Sequence, residues 1–70
     1  RKQTLLAAIS SLDDMYKMPI ILYHIEGMIY QEISSVLGVS MSKIKNRIFR
    51  GRRLLKDILL KQKEVDKSGL

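Results

Sequence analysis

The sequence predicts an all-α domain of four helices, the last of them long and basic, and three observations predict it. Apolar residues recur at intervals of three and four along most of the 70 residues, the period of a helix with one buried face. The composition, 46% hydrophobic with one Pro, four Gly and no low-complexity run, is that of a compact helical unit rather than a disordered tail. The charge is also lopsided. Residues 1–40 hold three basic and four acidic side chains, giving −1, whereas residues 41–70 hold ten and three, giving +7. The excess positive charge therefore belongs to one element.

In the first segment, Lys2 to Leu12, the residues Leu5, Leu6, Ile9 and Leu12 recur at helical spacing with Ala7 and Ala8 between them. This predicts a helix of about three turns. Asp13 and Asp14 follow, and either can cap the next helix start with its short carboxylate. A second helix is expected from about Asp14 to Glu26. Pro19 lies inside it, removes one N–H bond and crowds the carbonyl four residues back, so a kink or a late start is expected there. The run MPIILYHI is apolar on nearly every side, which predicts a central helix packed on more than one face. Gly27 supplies a left-handed stop.

Tyr30 to Leu37 reads as a third helix of two turns, with Ile33, Val36 and Leu37 inward and Gln31, Glu32, Ser34 and Ser35 outward. Ile29 is a poor N-cap for it. Gly38 ends the helix, and Gly38-Val39-Ser40 leads directly into the basic segment, with Ser40 as its N-cap. Two helices joined by a three-residue turn containing Gly, the second one basic, form the helix-turn-helix pattern.

From Ser40 to Leu59 the wheel divides sharply. Met41, Ile44, Ile48, Gly51, Leu55, Ile58 and Leu59 share one arc, while Ser42, Asn46, Phe49, Arg50 and Arg53 lie opposite. Lys43, Lys45, Arg47, Arg52 and Lys56 occupy the flanks, and Asp57 is the one acid nearby. A helix that needed only solubility would not set its one phenylalanine among arginines. Phe49 is therefore expected to be exposed and to meet something outside the domain. The fourth helix is expected to end near Lys63, with residues 64–70 a frayed tail.

A single domain of 1–70 is the whole organisation, and a chain this short buries only about 60% of the surface its unfolded form exposes. An enclosed active site has little room. There is no cysteine, which rules out disulfides and thiolate metal sites. His24 is the only histidine and has no carboxylate cluster at ligand spacing, so it reads as a packing or surface residue. The serines have no base partner. Neither a cofactor nor a metal is expected, and the chain is not read as an enzyme. No apolar run approaches the roughly 20 residues that span a bilayer, so the expectation is a cytoplasmic domain without membrane contact. Met15, Met18, Met28 and Met41 read as core filler and Tyr16 as core. Because the chain starts at Arg1 with no initiator Met, it is read as a fragment of a longer protein.

A basic stripe on one helix suits a phosphate backbone, an acidic membrane or an acidic protein. In a helix-turn-helix the N-terminal half of the second helix enters the major groove, which makes Ser42, Lys43, Asn46, Phe49 and Arg50 the base-facing set. Arg can bridge guanine O6 and N7, Asn can bridge adenine N6 and N7, and Phe can lie against a thymine methyl. Lys45, Arg47, Arg52, Arg53 and Lys56 suit phosphates, which set register. Ser40 joins them at the helix start. Tyr30 either packs or turns its hydroxyl to a phosphate.

The stretch from Leu12 to Leu59, above all YHIEGMIYQEISSVLGVSMSKIKNRIFRGRRLL, resembles region 4 of bacterial sigma factors of the extracytoplasmic-function type, whose usual pattern is close to RYxEGLSYEEIAEILGISxGTVKSRLxRARKxL. The anchors are Glu26-Gly27, Tyr30, Glu32-Ile33, Leu37-Gly38, Ser40, Ile44-Lys45, Arg47, Arg50 and Arg52. The resemblance implies binding of the minus-35 promoter element through the last helix. It also implies contact with the beta-subunit flap of RNA polymerase, and anti-sigma factors as common partners. The free domain is expected to be monomeric. A response-regulator or repressor domain, or a module that chiefly binds polymerase or an anti-sigma factor, are the alternatives. This sequence departs from the pattern at Tyr23, Ile29, Ser42, Lys43 and Asn46, where Arg, Ser, Gly, Thr and Ser are usual.

Overall fold

The computed structural model describes residues 2–68, with side chains from residue 4 to residue 62. Its elements are α1 (Lys2–Ser10), α2 (Asp14–Ile20) continued by a π-helical turn (Ile21–Ile25), α3 (Tyr30–Leu37) and α4 (Met41–Ser68). With α2 and its continuation taken together, this is the predicted four-helix order.

The core has two parts, and α4 supplies both. Ile9, Leu12 and Ile20 form one, against which Tyr16, Ile21, Leu55 and Ile58 pack. Ile33, Ile44 and Ile48 form the other, with Leu22, Tyr23, Met28, Leu37 and Val39 against it. Because α1, α2 and α3 all pack on α4, the last helix is the strut of the domain. The second helix is central as well, as expected: α2 packs on α1 and α4 and its continuation on α3, with Ile20 and Ile21 in the first part of the core and Leu22 and Tyr23 against the second. Pro19 and Ile20 are buried, whereas Met18 and Ile25 are 40% and 51% exposed, so the segment is not packed all the way round.

Pro19 neither delays nor divides the helix. Instead the backbone widens just after it, and Glu26 N–H donates to Ile21 O at 3.0 Å, five residues back. Gly27 and Gly38, at φ 73° and 66°, are the left-handed stops foreseen for them. The Ser34 hydroxyl donates to Val39 O and ties α3 to the turn. Ser40 then caps α4, its Oγ accepting from Lys43 N–H at 3.3 Å and its carbonyl from Ile44 N–H at 3.0 Å. Ile29 has no side-chain acceptor to offer at the start of α3. Glu32 instead reaches back and accepts from Ile29 N–H at 3.1 Å, which is half of a capping box.

Other expectations fail for identifiable reasons. Asp13 stands at the N-cap of α2 without a side-chain cap bond; its carbonyl takes the Tyr16 and Lys17 N–H groups, and Asp14 pairs with Lys17 at 3.4 Å. Val36 is 63% exposed, because Tyr30, Ile33 and Leu37 form the packed stripe of α3 and Val36 lies about 90° around the wheel from its centre. Leu5 and Leu6 are exposed, as are Met15 and Met41, so Met28 is the one methionine that fills core. Met41 is the first residue of α4, preceded by a turn rather than by packed helix. The helix itself runs on to Ser68, past the expected end at Lys63. The rest of the expected tail, residues 69–70, lies outside the described residues.

Candidate nucleic-acid interface

The outward surface of α4 follows from the stripe that is buried. With Ile44, Ile48 and Gly51 against the other helices, 100° steps turn Ser42, Asn46, Phe49, Arg50 and Arg53 away from them. All five are exposed, as are Ser40, Lys43, Lys45, Arg52 and Lys56, while Arg47 and Tyr30 are half-buried. Phe49 is 61% exposed, and the Arg53 guanidinium lies 5.9 Å from its ring centroid. The residue that looked misplaced in an amphipathic helix is thus outside the core, beside an arginine.

Two clefts flank this ridge. One, of about 720 Å³, is lined by Tyr30, Lys45, Ile48, Phe49, Arg52, Arg53 and Lys56. The other, of about 180 Å³, is lined by Met15, Tyr16, Lys43, Asn46, Arg47 and Arg50. The candidate residues therefore fall into two banks. Phe49 sits with the first, whereas Lys43, Asn46 and Arg50 sit with the second, and Ser40 and Ser42 line neither. Met15 is the participant that sequence reasoning missed. Its place in an apolar stretch reads as core, and only the packing of α2 on α4 sets it beside Arg50.

Tyr30 anchors the first bank. Its ring stacks on Tyr23, with centroids 5.0 Å apart and planes at 21°, and Lys45 Nζ lies 5.8 Å from its centroid. Interaction with Tyr23, and then desolvation, raise the Tyr30 hydroxyl above the ordinary phenol value against the opposing charge of Arg52. It remains a neutral donor at physiological pH. The two tyrosines meet although Gly27 breaks the helix between them, because the turn folds α3 back onto the end of the π-helical segment. Among the described residues the one ion pair is Lys17 with Asp14, so none of the described α4 cations from Lys43 to Lys61 has a described carboxylate partner. The face is open to an external anion.

Further along α4, sharing Arg52 and Lys56 with the larger cleft, lies an apolar groove of about 550 Å³ lined by Ile9, Ile20, Leu55 and Leu59 together with His24. His24 makes an edge-on contact with Tyr23 at 4.9 Å. Desolvation, and then the charge of Arg52, lower its pKa below the ordinary 6.5. A depressed histidine favours the neutral form in the folded state, so its contribution is full above pH 6.5 and declines as pH falls through that value toward the lower folded pKa. Thermal midpoints should therefore fall on acidification from neutral pH through that window. His24→Gln should flatten that part of the profile, and an unchanged profile would show that the imidazole is indifferent to folding. Among the described residues no group of three or more His, Cys, Asp or Glu stands at metal-binding distance. No described helix is long and apolar enough to cross a membrane.

The family model described as Sigma-70, region 4 matches residues 2–55. The chain belongs to that family. It is 42% identical over 55 residues to the ECF RNA polymerase sigma factor SigE of Mycolicibacterium smegmatis, a match covering 79% of this chain and 21% of that protein. It is 30% identical over 67 residues to the RNA polymerase sigma factor YlaC of Bacillus subtilis, covering 96% of this chain and 39% of the relative. The chain thus spans well under half the length of either relative. Resemblance to region 4 of an extracytoplasmic-function sigma factor, read from the motif, is borne out.

Within region 4 the departures from the usual pattern acquire physical meaning. Ile29, standing where a capping Ser is usual, is compensated by the Glu32 carboxylate. Lys43 and Asn46 share the smaller cleft with Arg50, so two of the unusual residues line one surface with that arginine. Tyr23, in place of a frequent Arg, supplies the stacking partner of Tyr30.

Proposed function

We propose that this region 4 domain recognises the minus-35 element of promoters as part of a sigma factor that directs RNA polymerase to initiate transcription. One observation carries the reading: a ridge of Asn46, Phe49 and Arg50 is exposed on a helix entered through a three-residue turn, with unpaired cations on both sides. That is the chemistry of a major-groove reader between two phosphate strands. In this reading Ser42, Lys43, Asn46, Phe49 and Arg50 contact base edges. Tyr30, Ser40, Lys45, Arg47, Arg52, Arg53 and Lys56 hold the backbone. The apolar groove takes the polymerase beta-subunit flap, and an anti-sigma factor would compete for that face. The domain acts by binding and not by catalysis, as a monomer on an asymmetric site.

Arg50→Ala should cost roughly 1–3 kcal/mol on the cognate duplex and relax sequence choice, whereas Lys45→Ala should weaken cognate and random duplexes alike and lower the salt slope by about one. Titrations of both variants against both duplexes at several salt concentrations check this. Equal losses on the two duplexes for Arg50→Ala would remove it from the base-reading set.

A further inference from the structure

Among the described residues that line the larger cleft, Tyr30 is the one uncharged side-chain donor, set beside Lys45, Arg52, Arg53 and Lys56. Those cations ride on long flexible stems and can follow a phosphate as it moves. A phenol hydroxyl cannot, because two side-chain torsions fix where it points. Tyr30 is therefore suited to hold one phosphate in one place, provided that its own ring is held.

Tyr23 holds it. Tyr23 is half-buried against the second part of the core and is no part of the cleft wall. Its ring lies on that of Tyr30, with centroids 5.0 Å apart and planes at 21°. Lys45 Nζ, 5.8 Å from the Tyr30 centroid, favours the same placement of the ring. Tyr23 belongs to the π-helical turn, and the Met28 N–H that donates to Leu22 O at 2.9 Å closes the bend that brings α3 back beside it. A line of contact thus runs from the core through Tyr23 to Tyr30 and the cleft. A phenol accepts as well as donates, so Tyr30 can take a hydrogen bond from the Tyr23 hydroxyl beside it and still give its own to a phosphate.

We propose that Tyr23 is a positioning residue for DNA binding, whose ring stack holds Tyr30 so that the phenol meets one defined backbone phosphate. The inference rests on the DNA-binding reading above and adds a residue outside the two helices of the motif. The Arg frequent at this position would bring a charge of its own. Tyr23 brings none, which gives it a signature: it adds affinity without releasing a counterion.

The test measures the Kd of the 70-residue chain and its variants on a set of promoter duplexes, each with one backbone phosphate replaced by an uncharged methylphosphonate. The phosphate whose replacement is costly for the wild type but not for Tyr30→Phe is the partner of Tyr30. Tyr23→Leu and Tyr23→Met fill the site against the core without an aromatic face. Both should weaken the unmodified duplex about three- to tenfold, as expected when a side chain must be ordered on binding, and leave the salt slope unchanged. Both should also erase the penalty at that one phosphate and keep it at the others. Tyr23→Phe preserves the stack and should preserve most of that penalty. The double variant Tyr23→Leu with Tyr30→Phe should bind no more weakly than the weaker single variant, because the two rings act as one unit. Losses spread over every phosphate, or an additive double variant, are what a merely structural role gives and overturn the proposal. So does a penalty that survives in Tyr23→Leu and Tyr23→Met, or one that vanishes in Tyr23→Phe. If no phosphate distinguishes Tyr30→Phe from the wild type, the assignment of Tyr30 to the DNA backbone fails instead.

Discussion

Ile44→Ala should destabilise the domain by about 3–5 kcal/mol, the upper part of the range for truncating a buried aliphatic side chain. Ile44 is fully buried and packs with Ile33 and Ile48, which are 0% and 2% exposed. Those neighbours sit on α3 and α4, whose backbones are fixed by their own hydrogen bonds, so the cavity cannot collapse cheaply. A domain of this size has roughly 4–10 kcal/mol of stability in total. The variant should therefore unfold at a far lower urea concentration, with its helical circular dichroism lost in one transition. Val36→Ala is the control. Val36 sits on α3 as Ile33 does, but at 63% exposure its truncation should stay within about 0.5 kcal/mol. Similar losses at the two positions would mean that the second core is not where these contacts put it.

That contrast also marks where the sequence was legible. Ile33, Ile44 and Ile48 were readable as core because each lies at the centre of its own helix's apolar arc. Ser40, Gly38 and Gly27 were readable because caps and left-handed stops are decided within a few residues. The end of α3 followed from Gly38, and its start from the spacing of Ile33 and Leu37 in spite of Ile29, a poor cap. Val36 was not readable, since on a two-turn helix an apolar residue at the edge of the arc is packed or bare according to what lies opposite. Met15 and Ile25 were misjudged for the same reason: their surroundings are set by how α2 and its π-helical turn sit against α4. The basic, Phe49-bearing face of the site was visible in the wheel. Its division into two banks was not, because Tyr30 and Met15, which define the two clefts, reach α4 only through the tertiary fold.

Gly51→Val should cost about 3 kcal/mol, by overpacking, although glycine is a poor helix residue. The gain from replacing it with alanine is about 1 kcal/mol in an exposed helix, and alanine is what the region 4 pattern usually carries there. In this chain Gly51 is buried where α2 crosses α4. A Cβ at this position would meet Ile20 Cδ1 at 2.5 Å, Tyr16 Cβ at 3.2 Å and Ile20 Cγ1 at 3.4 Å. Cδ1 is the end of a side chain, but Ile20 is itself fully buried, and Tyr16 Cβ moves only with its backbone. The two helices must therefore part. Valine adds two methyl groups to that clash and sacrifices rotamer freedom in the helix. Gly51→Ala should be milder, with its propensity gain offset or slightly exceeded by the contact. A double-mutant cycle separates the terms. Ile20→Val removes the atom nearest the new methyl at a cost of about 0.5–1.5 kcal/mol. If the clash with Cδ1 is the cause, the double variant with Gly51→Ala should be more stable than the sum of the single effects by about 0.5 kcal/mol or more. Strict additivity would shift the cause to Tyr16 and the α2 backbone. Duplex titration of Gly51→Ala should then show weaker discrimination at Arg50, since Met15 and Tyr16 line the same cleft as Asn46 and Arg50.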